Sequence, residues 1–144
     1  MSAPQVVLGF DYGTRRIGVA CGNTLTLQAQ PLTTLVNDPH LPWAEIAALV
    51  TEFSPAQIVV GLPYNMDGSE SQLSAVVRDF AAELAARFGR PVALVDERLS
   101  SHAAQDELRA ARASGRKRTR VARDDIDKYA AKVLVEQWLR EQDP

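Results

Sequence analysis

The sequence predicts an α/β fold. Its sheet has five strands, a three-strand antiparallel meander followed by two parallel strands, with helices packed on it. Three observations lead there. Residues 5–29 hold short apolar segments separated only by turns. Two continuous apolar runs then alternate with segments of helical period, the pattern of parallel crossovers. The chain closes on one further helical stripe.

Residues 5–11 read as the first strand. Val6, Leu8 and Phe10 share one face, and Val7, Gly9 and Asp11 share the other. The turn YGTRR leads to a second strand, RIGVAC, in which Gly18 and Ala20 again keep one face small. A third short strand is expected around Leu25–Ala29, ending near Pro31. Pro42 suits the first turn of a helix carrying Ile46, Ala47, Leu49, Val50 and Phe53, and Pro55 stops it. QIVVGL, residues 57–62, has the unbroken apolar character of a strand covered on both faces.

After the turn-rich PYNMDG, Ser69 and Gln72 form a capping-box pattern. It opens a helix with Leu73, Val76, Val77, Phe80, Leu84 and Phe88 on one stripe, ended by Gly89 and Pro91. Pro91–Asp96 is the fifth strand. Ser100 or Ser101 can cap another helix carrying Ala104, Leu108 and Ala111, and residues 114–123 read as a mobile loop. The last helix runs from about Asp125 to Arg140, with Ile126, Ala130, Val133, Leu134 and Trp138 inward. This order is that of an RNase H-like sheet. Ala130 and Ala131 would let the last helix approach the small Gly9, Gly18 and Ala20 face, bringing Asp127 towards Asp11.

The 144 residues suit one domain, expected to span 1–144, and bury enough surface to need no staple. Cys21 is the only cysteine, which excludes an internal disulfide and a Cys-rich zinc site; IGVACG suggests that it is a small buried hydrophobe. No basic segment followed by an apolar one opens the chain, and no apolar run approaches a membrane span, so a cytoplasmic location is expected. The net charge of −2 conceals an asymmetry. Arg109, Arg112, Arg116, Lys117, Arg118, Arg120 and Arg123 lie in a stretch without acids and carry +7, leaving −9 on the rest. A basic patch on an acidic chain suits a polyanionic partner, although it also suits a solvated loop.

Three acids stand at element ends. Asp11 closes the first strand, Glu97 follows the fifth in DERLSS, and Asp127 opens the last helix in DDIDKYAAKVL. Carboxylates from distant segments suit a hard divalent cation, Mg²⁺ or Mn²⁺. Each also has a structural reading. Asp11 can cap its turn. Asp96 could exchange roles with Glu97. Asp127 at the third helical position after an Asp124 N-cap would be an ordinary capping acid. Asn65 and Asp67 read as contacts to a phosphate or sugar or as turn-shaping residues, and Asp67, in the turn pair DG, reads as turn-shaping. His40 and His102 lack ligand spacing and read as surface or capping residues, and Trp43 and Trp138 read as packing.

GFDYGTRRIGVA, VVGLPYNMDGS, DERLSS and IDKYAAKVLVEQWL, in that order, resemble the YqgF/RuvX family over about residues 6–140. That family is described as Holliday junction resolvases or as pre-16S rRNA nucleases. Thr14-Arg15 and Ser100-Ser101 stand where many members have Ser-Lys and Thr-Thr. The resemblance implies an RNase H-like fold, cutting of nucleic acid with divalent metal, and catalytic, metal-holding roles for Asp11, Glu97 and Asp127. Related resolvases use four acids, and whether Asp124 or Asp125 adds a fourth stays open. Arg15, Arg98, Arg116, Lys117, Arg118 and Arg120 would grip the nucleic-acid backbone, a salt-sensitive term. Structured RNA ranks first as partner and branched DNA second, with a monomer or homodimer both open. Two other readings compete. DYGTRRIGVA also looks like a phosphate motif of the actin-like ATPases, which need two lobes; a non-catalytic nucleic-acid binder would use the same basic loop.

Overall fold

The structure, a computed structural model, describes residues 3–63, 71–96 and 123–142. Its described elements are β1 (Val6–Tyr12), β2 (Arg16–Asn23), β3 (Gln28–Val36), α1 (Trp43–Phe53), β4 (Gln57–Leu62), α2 (Gln72–Phe88), β5 (Val92–Asp96) and α3 (Arg123–Gln142). The sheet order is β3-β2-β1-β4-β5. β1 and β2, and β2 and β3, pair antiparallel, whereas β4 lies parallel to both β1 and β5. The predicted mixed sheet is therefore present.

Alternation in β1 divides the core into two layers. Leu8 and Phe10 join Ile17, Val19, Ile58, Val60 and Leu62 beneath α1 and α2. Val7 joins Ala20, Val59 and Val95 beneath Ala131, Leu134, Val135 and Leu139 of α3. Burying the larger aliphatic side chains stabilises the sheet by roughly 1.5–3 kcal/mol each. In the first layer Phe80 packs edge-on to Phe10, with ring centroids 6.0 Å apart. Trp43 lies 5.6 Å from the Phe80 ring and has the Arg87 guanidinium over its face at 4.1 Å. Trp43 and Trp138 are packing residues, as expected.

β3 departs from the expected strand. It begins at Gln28 and continues past Pro31 to Val36. The preceding segment is a turn: Leu25 N–H donates to Asn23 Oδ1 at 2.7 Å, and Leu27 has φ 59°. Pro31 does not end the strand because β3 is an edge and the β2–β3 register shifts between Val19 and Ala20, beside the Pro31 pair. An edge or bulge needs no N–H from that residue. Cys21 is another correction: it is half-buried rather than enclosed, being on β2 near its end, and burial pushes its thiol pKa up. His40 is exposed, as expected.

The α2 capping box uses Ser71 and Ser74 in place of Ser69 and Gln72. Ser71 N–H donates to Ser74 Oγ at 2.9 Å, while Ser74 Oγ also donates to the Pro63 carbonyl. Ser74 is 1% exposed, so these bonds tie the end of β4 to the start of α2 in a dry environment. Ser74→Ala should lower stability by about 1–2 kcal/mol, read by denaturant unfolding, because two backbone groups lose their partner. A loss below about 0.3 kcal/mol would mean that water replaces the hydroxyl there. Gly89, in the left-handed region, ends the helix as expected. Val76 leaves the expected stripe and is 45% exposed, because the buried face follows Ser74, Val77, Ala81 and Leu84.

On α3 the buried stripe is Ala130, Ala131, Leu134, Val135 and Leu139. Val133 is only half-buried, so the helix is turned towards Val135 relative to the expected face. This rotation seats Val135 against Gly9 and Gly22, where no side chain stands in its way. Among the described residues, no helix is long and apolar enough to cross a membrane.

Candidate active site

The β1–β2 register sets Asp11 opposite Gly18. Directly opposed residues in an antiparallel pair share a face and lie about 5 Å apart. That face receives α3. A Cβ built on Gly18 would lie 1.9 Å from the Asp127 carbonyl oxygen and 2.8 Å from the Lys128 nitrogen. Only a residue without a side chain allows this approach, so Gly18 seats the helix backbone at Asp127 beside the Asp11 position. Farther along, a Cβ on Gly9 would meet Val135 Cγ2 at 2.2 Å. The expected approach of Asp127 to the small sheet face is thus realised at Gly18.

Asp11 lies near the C-terminal end of β1, the edge of an open α/β sheet at which ligands usually bind. Asp127 is the fifth residue of α3, two positions beyond the expected third. Its carboxylate meets Arg16 instead: Arg16 Nε donates to Asp127 Oδ2 at 2.7 Å. The two side chains are 29% and 25% exposed. The bond is short and charge-assisted, but water screens the pair, which contributes at most about 1 kcal/mol to stability.

Arg16 was absent from the sequence-based candidates, which included its neighbour Arg15. Alternation holds the missing signal: counting back two residues from Gly18 assigns Arg16 to the helix-facing side of β2. Arg15 is exposed in the hairpin turn. Asn37 fixes that turn from the end of β3. Its Nδ2 donates to the Gly13 carbonyl at 2.8 Å, and its backbone N–H donates to the Arg15 carbonyl at 2.8 Å. Asn37 is 8% exposed, a buried polar residue that spacing alone did not single out.

Asp96 pairs with Leu62, on the face that packs under α1 and α2, and therefore stands opposite to the Asp11 face. Glu97, Arg98, Arg116, Lys117, Arg118 and Arg120 lie outside the described residues, as do Asn65, Asp67, His102 and the helix expected after Ser100 or Ser101. Arg123, assigned to the loop from sequence, begins α3; the side chains of Asp124 and Asp125 lie outside the description. Among the described residues, no group of three or more His, Cys, Asp or Glu side chains could hold a metal ion. Asp11 and Asp127 provide two carboxylates, whose oxygen donors match Mg²⁺ or Mn²⁺ chemistry. A third donor would have to come from elsewhere.

The sheet order and the helix crossing its small face define an RNase H-like α/β protein with two acids at the sheet edge. A "T. thermophilus RuvC in complex with Holliday junction substrate" structure shares the fold, with TM-score 0.60, 19% identity, and coverage of 96% of this chain and 97% of that one. The chain belongs to the RuvX family, described as "Holliday junction resolvase", whose profile matches residues 5–141. It is 44% identical over 142 residues to an Azotobacter vinelandii protein, covering 98% of this chain and 97% of that one. It is 43% identical over 143 residues to a Nitrosococcus oceani protein, covering 98% and 90% respectively. Both relatives are named "Putative pre-16S rRNA nuclease".

Proposed function

We propose that the protein is a divalent-metal-dependent nuclease that hydrolyses phosphodiester bonds in structured precursor ribosomal RNA. The observation carrying this reading is the Gly18 seat, which sets the helix backbone at Asp127 beside the strand position opposite Asp11. The names of the family relatives support the RNA substrate. Asp11, Asp127 and Glu97 would hold the cations through their carboxylate oxygens. The position of Asp96 on the other face favours Glu97 as the third acid.

When bound, Mg²⁺ or Mn²⁺ supplies an activated water and charge stabilisation at the leaving oxygen. The protein's own part is placement. Buried strands hold the Asp11 backbone, and Gly18 seats that of Asp127. Arg15, exposed on the neighbouring turn, is available to a phosphate. Arg98, Arg116, Lys117, Arg118 and Arg120 would extend that grip along the backbone. Junction resolution is the second reading, favoured by the family description. It would ordinarily require a symmetric dimer with two active sites.

The test compares cleavage of a precursor-like structured RNA and a four-way DNA junction, with Mg²⁺ or Mn²⁺ and with Asp11→Asn as control. Wild-type cleavage of RNA alone supports the proposal. Symmetric cuts in the junction alone replace it with the resolvase reading. Binding of RNA without cleavage of either substrate replaces it with the non-catalytic binder.

A further inference from the structure

We propose that Arg16 is a positioning residue: it holds one oxygen of the Asp127 carboxylate and thereby aims that carboxylate at a divalent cation. This deepens the nuclease reading and rests on Asp127 being a cation ligand. Two contacts from β2 determine where Asp127 stands. Gly18 admits the helix backbone at Asp127, setting its Cα, and Arg16 on the same strand holds Oδ2 at 2.7 Å. These groups are 111 residues apart in the chain, so only the fold creates the pairing. A carboxylate has about four acceptor sites, and this bond uses one of them. Groups that orient a metal ligand in this way commonly strengthen metal binding.

The same guanidinium also opposes the cation through its charge. Orientation should dominate because Arg16 and Asp127 are about a quarter exposed. Water and salt weaken the charge repulsion there, while the directional bond still sets the carboxylate geometry. Arg16→Lys retains the positive charge but lacks the planar fork, so it separates charge from geometry.

The experiment titrates purified full-length protein with Mn²⁺ by calorimetry, alongside thermal unfolding. It uses the wild type, Arg16→Met, Arg16→Lys, Asp127→Asn and the Arg16→Met/Asp127→Asn double variant. Arg16→Met should weaken Mn²⁺ binding about 10–100-fold, and Arg16→Lys should restore only part of it. In the Asp127→Asn background, Arg16→Met should change affinity by less than about twofold, since its effect passes through Asp127. Equal or tighter Mn²⁺ binding by Arg16→Met or Arg16→Lys overturns the inference, even if both melt earlier, because a merely structural pair would affect melting alone. An undiminished effect in the Asp127→Asn background also overturns it. If Arg16→Met fails to fold, Arg16→Lys decides by the same comparison. Absence of Mn²⁺ binding by the wild type overturns both this inference and the metal-nuclease reading, whereas wild-type binding with unaffected Arg16 variants overturns this inference alone.

Discussion

Gly18→Ala should damage both stability and cleavage, because its new methyl would occupy space held by backbone. The Cβ would be 1.9 Å from the Asp127 carbonyl oxygen, and the Asp127 carbonyl carbon is also close, at 2.3 Å. No rotamer change can clear a peptide group. Helix α3 would have to lift by about 1 Å, with an expected destabilisation of about 1–3 kcal/mol. A displacement of that size at a catalytic constellation costs on the order of a hundredfold in rate. Denaturant unfolding and the RNA cleavage assay read the two effects.

Gly9→Ala provides the contrast. Its methyl would meet a side-chain atom, Val135 Cγ2, at 2.2 Å, while the Ala131 carbonyl is at an ordinary 3.5 Å. Truncating Val135 to Ala should therefore relieve most of the Gly9→Ala penalty, measured against Val135→Ala alone. The same truncation should leave the Gly18→Ala penalty unchanged. Wild-type cleavage and stability in Gly18→Ala would show that α3 does not rest on β2 as described.

Asp11→Asn should lower metal-dependent cleavage by at least about a hundredfold while the protein remains folded and binds RNA. Replacing one carboxylate oxygen by an amide removes a negative charge and a strong cation-binding atom. Even residues that only orient metal ligands commonly account for 10–100-fold, so loss of a direct ligand should cost no less. Asp11 is half-exposed at the edge of a sheet whose neighbouring core positions, Phe10 and Ile17, are fully buried. The isosteric change therefore leaves the packing intact. Kinetics, RNA binding and thermal unfolding measured on the same preparation check the three parts. Undiminished cleavage by Asp11→Asn would remove this acid from the mechanism and, with it, the proposed site.

The strands β1, β2 and β4 were legible because alternation and unbroken apolar runs are local consequences of burial. Their faces were assigned correctly too, since side-chain direction follows from parity alone. β3 was less legible: Pro31 is a strand breaker only where its missing N–H is needed, and that depends on whether the strand is an edge. The Ser71–Ser74 capping box was missed because Ser69 and Gln72 fit the same spacing, and the choice depends on which serine reaches the Pro63 carbonyl.

The candidate site divides in the same way. Composition and spacing by themselves determined the mixed α/β sheet, the acids at strand and helix ends, and the small-residue face that would receive the last helix. Tertiary structure alone decided that Gly18 is the seat for Asp127, that Asp96 faces away from Asp11, and that Arg16 holds the helix acid. The physical reason is range. Periodicity records which side of an element is buried, but a contact between residues 111 apart depends on the rotation and depth of a helix on the sheet. Those are set by packing among Gly9, Gly22 and Val135, and no local pattern encodes them.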